Sequence, residues 1–418
     1  MTRFDTSIPA HISIFRPGAG AAIRWACAVV AGAALAMAAA LPAAAQSGKA
    51  QDGYQTSVPH AILIDAESDT VLFEKNADQL MAPSSMAKLM TMEFVFNEIK
   101  EGRLKLDDVF TVSENAWRRG GAPSGGSTMY AALNSQLTVA DLIQGVIIQS
   151  ANDGCIILAE GIAGSEQAFA ARMERRAREL GLTKSTFTNA TGLPDPGLRV
   201  TARELAKLAQ HIIRTYPEFY RYYGEREFTW NKIRQQNRNP LLAMGIGADG
   251  MKTGYTQEAG YGLVGSAVQN GLRLIVVVNG AKTAKERADE ARKLLEWGFR
   301  GFESRLLFAA NETVGEAKVY GGDKGSVPLV GAREIRVLVP RASDDKLIAR
   351  IVYEGPVPAP VEKGQPIGAL KVWRNDALAL EVPLRAAESV GTGTLPQRAF
   401  DAATEMVIGV FRAGVEKL

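Results

Sequence analysis

A chain of 418 residues, 46 % of them hydrophobic and 22 % charged, has the apolar material for a sizeable core and room for two domains, which excludes general disorder. The formal net charge of +3 falls to +1 once Arg3, Arg16, Arg24 and Asp5 of the first 45 residues are set aside, so there is no electrostatic case for nucleic acid. Two cysteines and three scattered histidines (His11, His60, His211) supply neither a disulfide framework nor a zinc cluster, and they provide poorly for a Ser-His-Asp triad; no cofactor or metal is expected.

Residues 1–45 read as a secretory signal peptide. Three arginines precede an apolar, alanine-rich run from Trp25 to Leu41, and Pro42-Ala43-Ala44-Ala45 supplies a small-residue cleavage site. The run is short against the ~20 residues that span a bilayer, so cleavage after Ala45 is expected in preference to a spanning anchor. Cleavage removes Cys27 and His11 and leaves Cys155 as the one cysteine of the mature chain.

In AILIDAESDTVLFEKNAD two short apolar runs flank Glu67-Ser68-Asp69 and predict a β-hairpin. PSSMAKLMT, residues 83–91, predicts a helix start with Pro83 in its first turn. Residues 137–216 are predicted mostly helical, with capping boxes at Thr138/Asp141 and Thr201/Glu204 and stops at Gly181 and Pro217. Strands return in GMKTGYTQEAGYGLVGSAVQNGLRLIVVVNGA, where Asn270-Gly271 between two apolar runs marks a tight hairpin. KERADEARKLLEWGF predicts another helix. Strands on both sides of a helical block predict an α/β domain over 53–305, with helices packed on an antiparallel sheet. From about Leu306 short runs alternate with Gly and Pro turns, which predicts a small all-β domain over 306–392. The terminal segment, 395–418, predicts a helix. Phe400, Ala403, Val407, Phe411 and Leu418 share one face of it, and Arg398, Asp401, Glu405, Arg412, Glu416 and Lys417 lie largely elsewhere.

Three short motifs carry chemistry. Ser85 and Lys88 are three residues apart, so a helix puts them on one face, where the amine can reach the hydroxyl. Lysine acts as a base only when neutral, and burial or a second cation lowers its pKa. The spacing alone is not specific: Ser343-Asp344-Asp345-Lys346 also fits S-x-x-K and reads as a solvated turn. Ser150-Ala151-Asn152 follows an apolar helix, and its plain reading is a helix cap formed by Ser150 with Asp153. Lys252-Thr253-Gly254 lies on a strand, where the plain reading is an exposed edge lysine. Arg238 suits a carboxylate by its guanidinium geometry, and an ordinary surface ion pair would equally explain it.

Together, APSSMAKLMT, SANDG and DGMKTGYT, with KERADEARKLLEWGF, resemble the serine D-alanyl-D-alanine carboxypeptidases among the low-molecular-mass penicillin-binding proteins. The resemblance covers most of the mature chain. It implies a transpeptidase/β-lactamase-like α/β fold and an acyl-enzyme formed on Ser85 with Lys88 as general base. It implies further that Ser150 relays a proton to the leaving D-alanine, and that Asn152 holds the peptide and orients Lys88. Lys252 would bind substrate and help keep Lys88 neutral, and Thr253 of the Lys252-Thr253-Gly254 motif would bond the terminal carboxylate. Backbone N–H groups of Ser85 and Tyr255 would form the oxyanion hole, with Arg238 as a carboxylate clamp. Tyr255 stands where relatives often carry histidine. The implied partners are peptidoglycan stem peptides, β-lactam antibiotics as covalent inhibitors, and the inner-membrane surface, reached from the periplasm through the terminal helix. A class A β-lactamase shares two of the motifs but carries S-D-N and a glutamate in E-x-x-L-N. Residues 153–251 offer nothing closer than Glu179-Leu180-Gly181-Leu182-Thr183. A non-catalytic wall-binding protein would be expected to have lost a reacting side chain, and all are present.

Overall fold

Five strands build the sheet that everything else in the larger unit packs on. They are β1 (His60–Asp65), β2 (Val71–Lys75), β3 (Ala248–Thr256), β4 (Gly260–Gln269) and β5 (Leu272–Ala281), all antiparallel in the order β2-β1-β5-β4-β3. The structure, a computed structural model, describes residues 54–341, 346–374, 377–399 and 401–402. The predicted hairpins are β1-β2 and β4-β5. The second turns at Asn270 and Gly271, both with positive φ (50° and 78°), as a two-residue hairpin turn requires.

Strand periodicity decides what covers each face. Ile62, Ile64, Ile275 and Val277 enter the core under the helical block. Their neighbours Ala61, Leu63, Leu274, Val276 and Val278 enter a second core with Leu294, Leu295 and Phe299. Those last three belong to helix Ala284–Gly301. The sheet is therefore buried on both faces, which explains why its strands read as nearly continuous apolar runs. The helical block contains α1 (Lys88–Lys100), α2 (Asn152–Ala163), α3 (Glu166–Glu179) and α4 (Ala202–Thr215).

Both expected caps form: Thr138 accepts from the Asp141 N–H and Thr201 from the Glu204 N–H, each at 3.1 Å. The reciprocal half of a capping box does not. The Asp141 carboxylate takes the Thr138 hydroxyl, and Glu204 accepts from the N–H groups of Lys184 and Ser185. Residues 180–201, predicted helical, are mostly irregular after Gly181 takes φ +74° and ends α3. The strand Ile335–Pro340 pairs with Phe302–Phe308, inside the larger unit.

The smaller unit, drawn from 310–333 and from 345 onward, is β-rich. Its sheet runs Leu347–Tyr353, Pro366–Arg374, Ala377–Ala386, Ser326–Gly331, Thr313–Tyr320, Val357–Pro358, with a core that includes Val327, Leu329, Val372 and Leu384. Residues 395–399 are helical. The signal segment, Ser343 with its S-x-x-K match, and most of the amphipathic face proposed for the terminal helix lie outside the described residues.

One buried ion cluster ties the helices together. Glu93 of α1, fully buried, accepts from Arg176 Nη2 of α3 at 2.9 Å and from the Tyr216 hydroxyl at 3.1 Å, and contacts His211 Nε2 of α4 at 3.2 Å. Removing one partner of a buried pair leaves the other desolvated and unpaired, which typically costs about 3–5 kcal/mol. Glu93→Ala should lower the unfolding free energy of the larger unit by about 3 kcal/mol, visible as a reduced urea midpoint. An unchanged midpoint would show that the cluster carries no net stability.

Candidate active site

The chain enters α1 through a tighter turn. Residues Ser84–Ala87 form a 3₁₀ turn, capped by Pro83, that passes directly into α1 at Lys88. Ser85 is half-buried on this turn, and Lys88 is fully buried one turn on. Lys88 Nζ lies 2.9 Å from Ser85 Oγ and 2.8 Å from Asn152 Oδ1, and it also bonds the Thr191 carbonyl. Among the described residues these partners are a hydroxyl, an amide oxygen and a carbonyl; none is a carboxylate. Burial lowers the Lys88 pKa to about 8, with Arg238 pressing the same way and Cys155 and Asp153 opposing.

Asn152 and Ser150 reach the site from the end of a helix and the start of the next. Val139–Gln144 continues as a π-turn over Gly145–Gln149, Ser150 closes it in the left-handed region (φ 65°, ψ 32°), and α2 begins at Asn152. The plain cap reading of Ser150 fails here. Ala151 occupies the N-cap, Ser150 Oγ is buried without a partner among the described residues, and Asp153 is engaged elsewhere. The Asp153 carboxylate accepts from Thr128 Oγ1 at 2.6 Å and from the N–H groups of Met129, Ala131 and Gly154, which locks the 128–131 segment against α2.

Lys252, Thr253 and Gly254 lie on β3, the edge strand. The strand is an edge, yet the lysine is not exposed: Lys252 is 2 % exposed. Burial pushes its pKa well down, and Lys88 and then Arg238 add to the effect. Gly254 is required by proximity. A Cβ there would strike Ser84 Oγ and sit 3.0 Å from the Pro83 carbonyl, so only glycine lets β3 lie against the Ser85 turn. An edge strand also leaves alternate backbone N–H groups without a strand partner, and they are available to a ligand. Tyr255, half exposed, stacks on Tyr261 with ring centroids 4.1 Å apart. Arg238 makes no ion pair among the described residues; its Nη1 donates to Ser127 Oγ at 2.6 Å, and the Asn152 N–H bonds the Ser127 carbonyl.

The structure thus gathers Ser85, Lys88 and Asn152 with the β3 motif, places Ser150 two residues before Asn152, and brings Arg238 to the wall that carries Asn152. Sequence reasoning missed the loop that completes the Lys88 pocket. Asn189 Oδ1 accepts from the N–H groups of Thr191 and Gly192 and from Thr191 Oγ1, and Thr91 holds the Ala190 carbonyl at 2.7 Å. Gly192 (φ +75°) lies where a Cβ would overlap the Ser84 carbonyl. Asn189-Ala190-Thr191-Gly192 carries a turn signal, but nothing in it names the lysine it faces.

The chain is similar to known proteins over most of its length. The family described as D-alanyl-D-alanine carboxypeptidase matches residues 45–283, and the one described as penicillin-binding protein 5, C-terminal domain, matches 302–392. The D-alanyl-D-alanine carboxypeptidase DacC of Escherichia coli is 43 % identical over 343 residues, 81 % of this chain and 86 % of that protein. DacA of Haemophilus influenzae is 38 % identical, covering 84 % and 89 %. Among solved structures, penicillin-binding protein 5 of Haemophilus influenzae aligns with a TM-score of 0.72 at 38 % identity, over 81 % of this chain and 99 % of that one. Penicillin-binding protein D2 of Listeria monocytogenes, in its ampicillin-bound form, aligns with 0.54 at 31 %, over 60 % and 100 %. The chain belongs to the serine-type D-alanyl-D-alanine carboxypeptidases of the low-molecular-mass penicillin-binding proteins.

Proposed function

We propose that the enzyme removes the terminal D-alanine of peptidoglycan pentapeptide stems through an acyl-enzyme on Ser85. The observation that carries this reading is the buried Lys88 amine, 2.9 Å from Ser85 Oγ and 2.8 Å from Asn152 Oδ1. Neutral Lys88 takes the Ser85 hydroxyl proton as Oγ attacks the carbonyl carbon of the penultimate D-alanine. Backbone N–H groups of Ser85 and Tyr255 hold the resulting oxyanion; one such donor typically contributes about 100-fold or more in rate. The C–N bond then breaks. The proton held by Lys88 passes through the Ser150 hydroxyl to the departing nitrogen, and D-alanine leaves. Water repeats the sequence in reverse on the ester and frees Ser85. Thr253, Lys252 and Arg238 bind the terminal carboxylate, Asn152 holds the peptide amide and orients Lys88, and Gly254 lets the strand approach. β-Lactams enter by the same first step.

The remaining assignments extend this reading to the whole chain. Residues 1–45 are the cleaved signal, 53–305 the catalytic domain, 306–392 the β-rich domain, and 395–418 an amphipathic helix on the periplasmic face of the inner membrane. No helix among the described residues is long and apolar enough to cross a membrane. An amphipathic helix binds by apolar burial in the interface without spanning.

Three outcomes are expected. With Lys88 titrating at about 8, its neutral fraction falls tenfold per pH unit below that value. Initial rates of D-alanine release should therefore climb between pH 6 and 8 and level off above, and Lys88→Arg should lose about 10²–10⁴-fold because arginine stays protonated; a flat profile would remove Lys88 as base. Digestion of the penicillin-treated protein should place the adduct on Ser85, and the adduct should leave slowly, because residues 153–251 hold no E-x-x-L-N glutamate to activate a deacylating water; an adduct on Ser84 or Ser150 overturns the assignment. Deleting 395–418 should move the protein from the membrane to the soluble fraction with penicillin acylation retained, and equal solubility of both forms would sink the anchor.

A further inference from the structure

Lys252 is useful only on the face of the sheet that carries Lys88, and strand parity alone would send it to the other one. Ala248, the first residue of β3, opposes Ala267, and both pack on the second core, beside helix Ala284–Gly301. Side chains alternate along a strand, so in a regular strand Lys252, four residues on, would share that face. It does not. Lys252 opposes Val264, which belongs to the core under the helical block. The extra residue is Asp249. Ala248 opposes Ala267 and Gly250 opposes Ser266, so two steps along β3 match one along β4, which is a β-bulge.

The Asp249 carboxylate is gripped by two other elements. Its Oδ1 accepts from the Tyr220 hydroxyl at 2.6 Å and from Arg273 Nη1 at 2.9 Å, and Arg273 Nη2 lies 2.8 Å from Oδ2. Arg273, on β5, also donates from Nη1 to Ser266 Oγ at 2.7 Å. One guanidinium thus ties the bulged residue to the strand it bulges from. Tyr220 ends the short helix Pro217–Tyr220 and reaches in because residue 250 is glycine: a Cβ there would stand 2.7 Å from its hydroxyl. On the near side of the bulge the Val268 N–H donates to the Gly247 carbonyl at 2.9 Å.

Resting on the reading that Lys252 and Thr253 bind the terminal carboxylate of the substrate, we propose that Asp249 is a positioning residue for that recognition. With Arg273 and Tyr220 it locks the bulge whose parity turns Lys252 toward Lys88. A strand released into regular pairing slips by one residue, and a one-residue slip moves every side chain to the opposite face. Lys252 and Thr253 would then leave the cleft. Ser85, Lys88 and Asn152 belong to other elements and would stay. The Tyr255 N–H travels with β3, so every substrate slows, and the added loss falls on substrates that carry the carboxylate.

The readout is a ratio: kcat/KM of the full-length chain for an N-acetylated tripeptide ending in D-Ala-D-Ala, divided by that for the same peptide as its C-terminal amide. Saturating labelled penicillin counts the active sites in each preparation. The wild type should prefer the acid by about 100-fold or more, because the amide leaves buried polar groups unpaired. Asp249→Ala should cut that preference by about tenfold or more, the scale of a misplaced binding group. Arg273→Met should do the same, and it carries the test if Asp249→Ala does not fold. Asp249→Asn keeps an Oδ1 acceptor for Tyr220 and Arg273 and should stay within about threefold of the wild-type preference. A merely structural role would slow acid and amide alike, and an unchanged ratio in Asp249→Ala or Arg273→Met overturns the proposal. A wild type that does not prefer the acid would instead bring down the carboxylate reading on which it rests.

Discussion

Burying the Lys88 amine is the constraint around which the catalytic unit is arranged. An ammonium taken out of water costs several kcal/mol unless it is bonded or loses its proton. Here both responses are visible. Three oxygens from three separate elements converge on Nζ, and the pKa falls to about 8. Each oxygen needs its own support. The Ser84–Ala87 turn presents Ser85, the start of α2 presents Asn152, and the Asn189–Gly192 turn presents the Thr191 carbonyl. The base is thus made by packing, and each supporting element is fixed by hydrogen bonds that never touch the lysine.

Strain collects where the packing is tightest. Ser84 (φ 46°) and Ser150 (φ 65°) both occupy the left-handed region, which is sparsely populated for residues with a side chain and costs of order 1–3 kcal/mol each. One precedes Ser85 and the other ends the π-turn two residues before Asn152. The five-stranded sheet, covered on both faces, is the rigid support against which such positions persist. Its edge strand β3 stays unpaired on the outer side because the site occupies it.

How much of this was legible in the sequence depended on the range of the interaction. Hairpins, caps and the α/β order follow from near neighbours, and Asn270-Gly271, Thr138 and Thr201 do what local chemistry requires. S-x-x-K was legible for the same reason, since a three-residue spacing sets the Ser85–Lys88 contact. The irregular 180–201 segment was not legible as such: it holds its shape through contacts to α1 and the Ser85 turn, far off in sequence. Lys252 shows the same limit. An edge-strand lysine reads as solvated, yet this one is covered because Gly254 lets the strand close against Ser84. Ser150 read alone was a cap, and only the π-turn before it shows why its hydroxyl is left free.

The clustering of Lys88, Lys252 and Arg238 gives the site a built-in dependence on its ligand. Burial depresses the Lys252 pKa and the nearby Lys88 and Arg238 charges add to it, and Arg238 also lowers the pKa of Lys88. On the proposed reading, the substrate carboxylate binds at Lys252, Thr253 and Arg238. That anion offsets the positive potential that Lys88 experiences, so the amine becomes more basic when the peptide is in place. With a pKa of about 8 the resting amine is mostly protonated at pH 7, so the carboxylate that strengthens the base also lowers its neutral fraction there, and the gain counts in full only above that pH. A ligand without a carboxylate would occupy the cleft and leave the base weaker, so the same three charges that bind the substrate also discriminate in the chemical step.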